Sequence, residues 1–425
     1  MTEQKKGGLL AAFIAVTTLF FAWGFVTSIN DPLVAAVKKI FSLNYAEATL
    51  TQFAFFIAYG IVSIPGGALV ARVGYGRAIV FALLAMVAGC LFMPVATHAD
   101  RYGLVLVALF IIASGMTVLQ VAANPLSAAL GRPEQSHFRL VLSQAFNSLG
   151  TVIGPWMGAH IMLRGGLFSE GAVEITPAVR AESLQKIDLA YFILAAVLVV
   201  LVVYFWRSRE RMANAAPTAT GAHSSVLEAF RSRWAVLGAV AIFLYVGAEV
   251  SIASLMTNFL NRPDVLDVTL ERAGKMTGLY YWGGAMVGRF AGSWLLTKVS
   301  APRLLTIFAI VAAILCFTVT QGSGTVAGYA ALAVGLFNSI MFPVIFTVTL
   351  ERSTASTAAT SSLLCMAIIG GAILPYIVGR SVDSVGLNTA FFIPLAAYIA
   401  IAFVAFSSAR APVVSVTRAA TGTSH

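Results

Sequence analysis

Charged side chains are scarce in this chain. Asp, Glu, Lys and Arg make up 10% of its 425 residues, against about 25% in soluble globular domains. Hydrophobic residues reach 59% and mean hydropathy is +0.89, which excludes a soluble globular fold and points to a polytopic membrane protein. Cysteine is equally rare. Cys90, Cys316 and Cys365 lie in apolar stretches without metal-ligand spacing, so they are expected as buried free thiols. The five histidines, at 98, 137, 160, 223 and 425, form no ligand set either. No H-E-x-x-H, G-x-S-x-G, P-loop or C-x-x-C motif occurs, nor a carboxylate dyad. The chain is therefore read as no enzyme, with no cofactor and no bound catalytic metal.

Long apolar runs dominate instead. Windows of about 20 apolar residues place spans at 9–37, 48–71, 77–97, 103–128, 138–163 and 189–206, then at 234–260, 274–297, 302–320, 325–349, 356–379 and 387–408. The expected fold is all-α: twelve transmembrane helices in two pseudo-symmetric six-helix bundles. The expected domains are 1–206, a cytoplasmic linker at 207–233, and 234–425 ending in a short cytoplasmic tail. Arg-rich ends flank the Ala/Pro/Thr/Ser-rich middle of that linker, the composition of a flexible connector. Two halves of this kind suit a secondary transporter with its substrate site at the membrane midplane. Internal similarity is faint. Gly150 with Pro155 repeats the offset of Gly370 with Pro375, and Gly24 with Ser28 that of Gly247 with Ser251; matches of this kind are common by chance.

Basic residues set the expected orientation. With both termini cytoplasmic, the inside regions hold Lys5, Lys6, Arg72, Arg77, Arg132, Arg207, Arg303, Arg352 and Arg410 among others, and the outside regions fewer, as the positive-inside rule requires. Most acids, including Glu170, Glu174, Asp264 and Glu271, fall outside. The net charge of +10 is thus read as topology and contact with the lipid bilayer, and no nucleic-acid partner is expected. Lys5 and Lys6 lead into a span too long for a signal h-region, so no cleavable signal is expected.

Within this apolar background, a few polar side chains stand out. Asp31 follows Thr27 and Asn30 and precedes Pro32 at the end of span 1. A carboxylate at membrane depth costs several kcal/mol, about 2.5–3.5 on insertion scales, so it normally faces a bundle interior or a wet cavity. Thr27, Asn30 and Asp31 share one helical face. Spans 4 and 5 carry Gln120 with Asn124 and Gln144 with Asn147, each pair on one face. Asn338 is a fifth buried amide in span 10. Glu249 in span 7 and Arg289 in span 8 are two charges among apolar neighbours, expected to pair with each other or with a polar cavity.

Several longer stretches carry a resemblance. They are F-F-A-W-G-F-V-T-S-I-N-D-P in span 1, L-Q-V-A-A-N-P around Asn124 and H-F-R-L-V-L-S-Q-A-F-N-S-L-G entering span 5, with Y-V-G-A-E-V-S-I in span 7, G-R-F-A-G-S-W in span 8 and F-N-S-I-M-F-P in span 10. Over nearly its whole length the chain resembles the major facilitator superfamily, and within it the fucose/galactose/glucose:proton symporter family, in particular the glucose/galactose branch. The superfamily loop motif G-x-x-x-D-R-x-G-x-x-R occurs from Gly67 to Arg77 with Ala71 at the usual Asp. The resemblance implies cation-coupled import of a neutral hexose, D-glucose or D-galactose before L-fucose, by a multi-pass protein of the bacterial inner membrane. In L-fucose permeases of the family an Asp in span 1 and a Glu in span 4 carry protons. The first corresponds to Asp31; the second is Gln120 here, which cannot release a proton. H⁺ is the expected coupling ion, and Na⁺ held by Asp31, Thr27, Asn30 and Gln120 is the alternative.

A pyranose offers hydroxyls that both donate and accept, together with apolar C–H faces, so its site needs amides, carboxylates and an aromatic platform. Asn30, Gln120, Asn124, Gln144, Asn147 and Asn338 are the candidate sugar ligands. Trp282 is the preferred stacking ring, with Trp23, Tyr245 and Tyr281 as further candidates. Asp31 and Glu249 are the candidate coupling groups and Arg289 their charge partner. A monomer is expected. An exporter on the same fold is the alternative reading of the same pattern.

Overall fold

The computed structural model describes residues 3–29, 45–99, 101–162, 176–215 and 226–414, with Leu33, Ala36, Val37, Ile40, Phe41 and Leu43 between the first two stretches. Twelve helical spans follow in order. α1 is Glu3–Ser28. One long run, Tyr45–His98, breaks at Gly74 into α2 (45–73) and α3 (75–98). Then come α4 (Tyr102–Ala129), α5 (Ser136–Met162), α6 (Pro177–Ala215) and α7 (Arg233–Asn261). α8 joins Leu270–Met276, a π-helical turn at Thr277–Trp282, and Gly283–Leu295. α9 is Ala301–Gln321, and α10 is Gly324–Asn338 continued by Met341–Arg352. α11 joins Thr357–Met366 and Gly370–Val385, and α12 joins Leu387–Ala390 and Phe392–Ser408.

Nine helices among the described residues are long and apolar enough to cross a membrane, with α2 and α3 counted together as one run across the kink at Gly74. The two that miss this test are α5, diluted by Ser, Gln, Asn and His, and α8, cut by its π turn. The chain divides into two compact units, Met1–Leu126 with Phe146–Ala222, and Ser127–Ala145 with His223–His425.

Gly74 makes the α2–α3 turn possible. Its φ of 78° and ψ of 167° lie in a region that is essentially glycine-only. No neighbour crowds a Cβ there, so conformation and not space fixes the residue.

α6 departs from the sequence reading. The span expected at 189–206 begins twelve residues earlier, at Pro177, and runs on to Ala215, so part of the outside loop and the first part of the expected linker are helical. Helix-forming residues explain both extensions: Pro177 occupies the first turn, Glu182 and Lys186 pair at 2.5 Å one turn apart, and the Arg209 guanidinium lies 4.2 Å over the Trp206 ring. A second part of the expected linker, Val226–Arg231, is a short 3-10 helix.

Glycines set the closest helix contacts inside each unit. A Cβ at Gly24 of α1 would lie 2.8 Å from the Asn147 side chain of α5, and one at Gly150 would lie 2.7 Å from the Phe25 backbone nitrogen. In the second unit, a Cβ at Gly247 of α7 would meet the Leu374 side chain of α11 at 2.5 Å, and one at Gly370 the Phe243 backbone at 2.8 Å. Ser28 and Ser251 each donate to the carbonyl four residues earlier, Gly24 at 2.9 Å and Gly247 at 2.6 Å. The faint sequence repeat is therefore the same glycine seam built twice, α1 on α5 and α7 on α11. Small residues allow such approach where lipid supplies no hydrophobic drive. Gly150→Leu is expected to force α1 off α5 and destabilise the fold by about 1–3 kcal/mol or more. A thermal-shift series in detergent would show this, and an unchanged melting temperature would refute the seam.

The second unit is tied at both ends. At one end Arg262 forks onto Asp264, Nε at 2.9 Å and Nη2 at 2.5 Å, and reaches Asn388 through Nη1 at 2.6 Å. This hydrogen bonding holds the Asp264 carboxyl below the usual carboxylate range. At the other end Arg352 donates to the Ser408 carbonyl at 2.8 Å, and Glu228 accepts from the Ser356 amide at 2.6 Å.

Candidate functional site

In the first unit the polar candidates of α4 sit deep. Gln120 is buried and donates from its amide to the hydroxyl of Tyr59 on α2. Asn124, one turn on, has no solvent exposure. Pro125 follows it inside the helix. Thr27 of α1 donates to its own helix at the Trp23 carbonyl, 2.8 Å, and approaches the Met116 sulfur at 3.4 Å. Trp23 is buried, its ring tilted against Phe20 at 5.4 Å. Asn147 donates to the Phe20 carbonyl at 3.0 Å, so one side of its amide is committed to the α1–α5 seam. Asn30 and Asp31 lie outside the described residues.

In the second unit a chain of hydrogen bonds crosses three helices. Tyr245 donates to Glu249 Oε1 at 2.7 Å. Tyr281 donates to the Glu249 backbone carbonyl at 3.0 Å and accepts from Asn338 Nδ2 at 3.0 Å. Tyr245, Tyr281 and Asn338 are buried, whereas Glu249 is partly exposed. Tyr281 sits in the π turn, a local geometry frequent at functional sites. The Asn338 side-chain oxygen and the buried Tyr398 hydroxyl make no hydrogen bond among the described residues. Trp282 is 41% exposed, its ring edge-on to Tyr281 at 5.2 Å.

Arg289 does something the sequence did not suggest. Arg289 Nε donates to the Ser339 carbonyl at 3.1 Å and Nη1 reaches the Gln144 carbonyl at 3.5 Å. Ser339 lies in the break between the two parts of α10. Its carbonyl would ordinarily accept from residue 343, but that residue is proline and has no N–H. The guanidinium replaces the missing donor, while remaining near enough to Glu249 to act on it through space. Gln144 itself is buried.

The first turns of α5 group with the second unit. His137 Nδ1 lies 2.6 Å from Thr347 Oγ1, His137 Nε2 lies 3.1 Å from Glu351 Oε1, and Ser136 donates to the same carboxylate at 3.0 Å. The sequence showed His137 as one of five histidines without ligand spacing and gave no sign of these partners. Tyr59, Tyr398 and Pro343 were missed too. A tyrosine hydroxyl in midspan must find a partner, and a proline four residues after a polar break must free a carbonyl; both signals were present.

The described residues form an almost wholly helical membrane architecture with buried polar clusters. The Major Facilitator Superfamily matches residues 9–364. A protein of Brucella abortus named glucose/galactose transporter is 42% identical over 403 residues, 95% of this chain and 94% of its own. The L-fucose-proton symporter of Escherichia coli is 31% identical over 401 residues, 90% and 89% of the two chains. The crystal structure of the E. coli fucose:proton symporter FucP superposes with a TM-score of 0.82 at 26% identity, covering 94% of this chain and 99% of that one. The chain belongs to the Major Facilitator Superfamily, in its fucose/galactose/glucose:proton symporter family.

Proposed function

We propose that this chain imports a neutral hexose in symport with a proton, by alternating access. The observation that carries the reading is the pair of largely buried polar sets: Gln120 with Tyr59 and Asn124, and Tyr245, Tyr281 and Asn338 around the partly exposed Glu249. They are rich in uncharged donors and acceptors, which is what sugar hydroxyls require and what a lipophilic or strongly ionic substrate would not. The relatives named glucose/galactose transporter and L-fucose-proton symporter favour a hexose and a proton. Gln144, Asn147, Asn30 and Trp282 complete the proposed sugar ligands. Asp31 is the proposed proton carrier, with Glu249 as a second group whose neighbour Arg289 biases its charge. The proposed moving bodies are 1–206 and 234–425; the two compact units follow this division except that residues 127–145 group with the second. The inner membrane, with both termini cytoplasmic, is the proposed location.

Proteoliposomes with imposed ion gradients test this. An inward proton gradient should drive uphill, saturable accumulation of D-glucose or D-galactose. Accumulation driven by sodium at fixed pH would overturn the proton assignment; equilibration without accumulation would overturn symport. Export of a lipophilic cation that hexoses do not inhibit would overturn the hexose.

The amides give a sharper outcome. Gln144→Ala is expected to weaken sugar binding by about 1–3 kcal/mol, through hydroxyls left unpaired on closure. Asn147→Ala should show the same loss together with lower thermal stability, because its amide also holds Phe20. Calorimetric binding and melting curves on the two variants check this. Normal affinity in both would leave these amides a purely structural role.

A further inference from the structure

We infer that the seam between α9 and α12 is a binding site for an anionic phospholipid. This rests on the membrane-spanning fold and not on the transport reading.

Two recesses lie along this seam. The first, about 680 Å³, is lined by Arg303, Arg352, Arg410, Ser300 and Thr306 together with apolar Ile307 and Phe406. No carboxylate lines it. Arg303 is exposed, and its guanidinium has no hydrogen-bond or ion-pair partner among the described residues. Arg410 rests its guanidinium 4.4 Å over the Phe406 ring. Arg352 is buried and anchored by the Ser408 carbonyl and Glu351. α9 begins here, and Ser300 makes no side-chain cap to its first turn, so the positive end of the helix adds to the same field.

The second recess, about 390 Å³, is wholly apolar and lined by Ile310, Ile314, Phe317, Leu395 and Ile399 among others. The two recesses share one stripe on each helix. On α9, Ile307, Ile310 and Ile314 recur at spacings of three and four, one face of a helix. On α12, Leu395, Ile399, Ala402 and Phe406 do the same. From Ile307 to Phe317 the rise is about 15 Å, the thickness of one leaflet of hydrocarbon.

A cationic recess therefore opens into an apolar groove one acyl chain long, on a lipid-facing seam. A phosphate head on Arg303 and Arg410 with its chain along Ile310, Ile314 and Ile399 satisfies both parts. A free anion would use only the first, and a zwitterionic lipid would gain little from two arginines.

The test is native mass spectrometry of the full chain in detergent, titrated with phosphatidylglycerol, phosphatidylcholine or inorganic phosphate. The unmodified chain should retain phosphatidylglycerol roughly tenfold better than phosphatidylcholine, and the double variant R303Q/R410Q should lose most of that preference, on the order of tenfold or more. Ala402→Trp, which fills the groove and leaves the arginines intact, should weaken lipid retention as well. Both arginines are exposed, so R303Q/R410Q should elute as the unmodified protein does on gel filtration. Equal retention of the two lipids, or retention unmoved in R303Q/R410Q, would overturn the site. Displacement of the lipid by millimolar inorganic phosphate would reassign the recess to a soluble anion and overturn it as a lipid site.

Discussion

Asp31→Asn is expected to abolish proton-driven accumulation while leaving exchange of sugar down its gradient partly intact. The argument is one of burial. A bare carboxylate carried into an occluded state costs several kcal/mol, about 2.5–3.5 at membrane depth; a proton or the amide substitution removes that cost. The variant can then complete the occluded step without a proton, so sugar movement no longer depends on the gradient, and the accumulation ratio should fall to about one. Counterflow and gradient-driven uptake, measured side by side in proteoliposomes, separate the two activities. Full accumulation by Asp31→Asn would remove this residue from coupling and leave Glu249 as the group to examine, since Gln120 cannot titrate.

Arg289→Leu should destabilise the protein by about 1–3 kcal/mol, the cost of an unpaired buried carbonyl, and abolish transport. The carbonyl at stake is that of Ser339, which Pro343 cannot serve. Replacing Pro343 by alanine supplies a backbone N–H for Ser339, so Pro343→Ala in the Arg289→Leu background should recover most of the lost stability. Transport should stay lost, because the positive charge near Glu249 is still missing. The double-mutant cycle isolates this coupling and is read in melting temperature and in uptake. Additive destabilisation would sink the carbonyl-capping role, and recovered transport would sink the electrostatic one.

Much of the architecture was legible because a bilayer leaves few choices. Backbone groups in hydrocarbon must be satisfied within the segment, so long apolar runs give helices, and the spans other than α5 and α8 stand out by length and hydropathy. Ends were harder. α6 outruns its apolar stretch in both directions, since helix propensity and an i,i+4 ion pair continue a helix after hydrophobicity has ceased to demand one. The glycine pairs Gly24/Gly150 and Gly247/Gly370 were visible as residues but not as contacts, because an offset repeated twice does not say which helix is approached. Glu249 and Arg289 were expected to pair with each other or with a polar cavity, on the premise that buried charges seek partners. A carbonyl freed by Pro343 competes for the same guanidinium, and spacing along α8 says nothing about a break in α10. The polar candidates Gln120, Asn124 and Asn338 could be picked out as buried, while their partners Tyr59 and Tyr281 came from helices distant in sequence.

The π turn at Thr277–Trp282 makes local chain length a variable in its own right. A π turn holds one residue more than the α-helical turn it replaces. A descendant one residue shorter at this point would wind it as ordinary helix and swing the preceding turns by about 100°, taking Leu270–Met276 to another face while Gly283–Leu295 kept its own. Tyr281 would then hold either its link to Asn338 or its place beneath Glu249, but not both. Homologues should therefore tolerate changes of side chain within this turn more readily than a gain or loss of a single position.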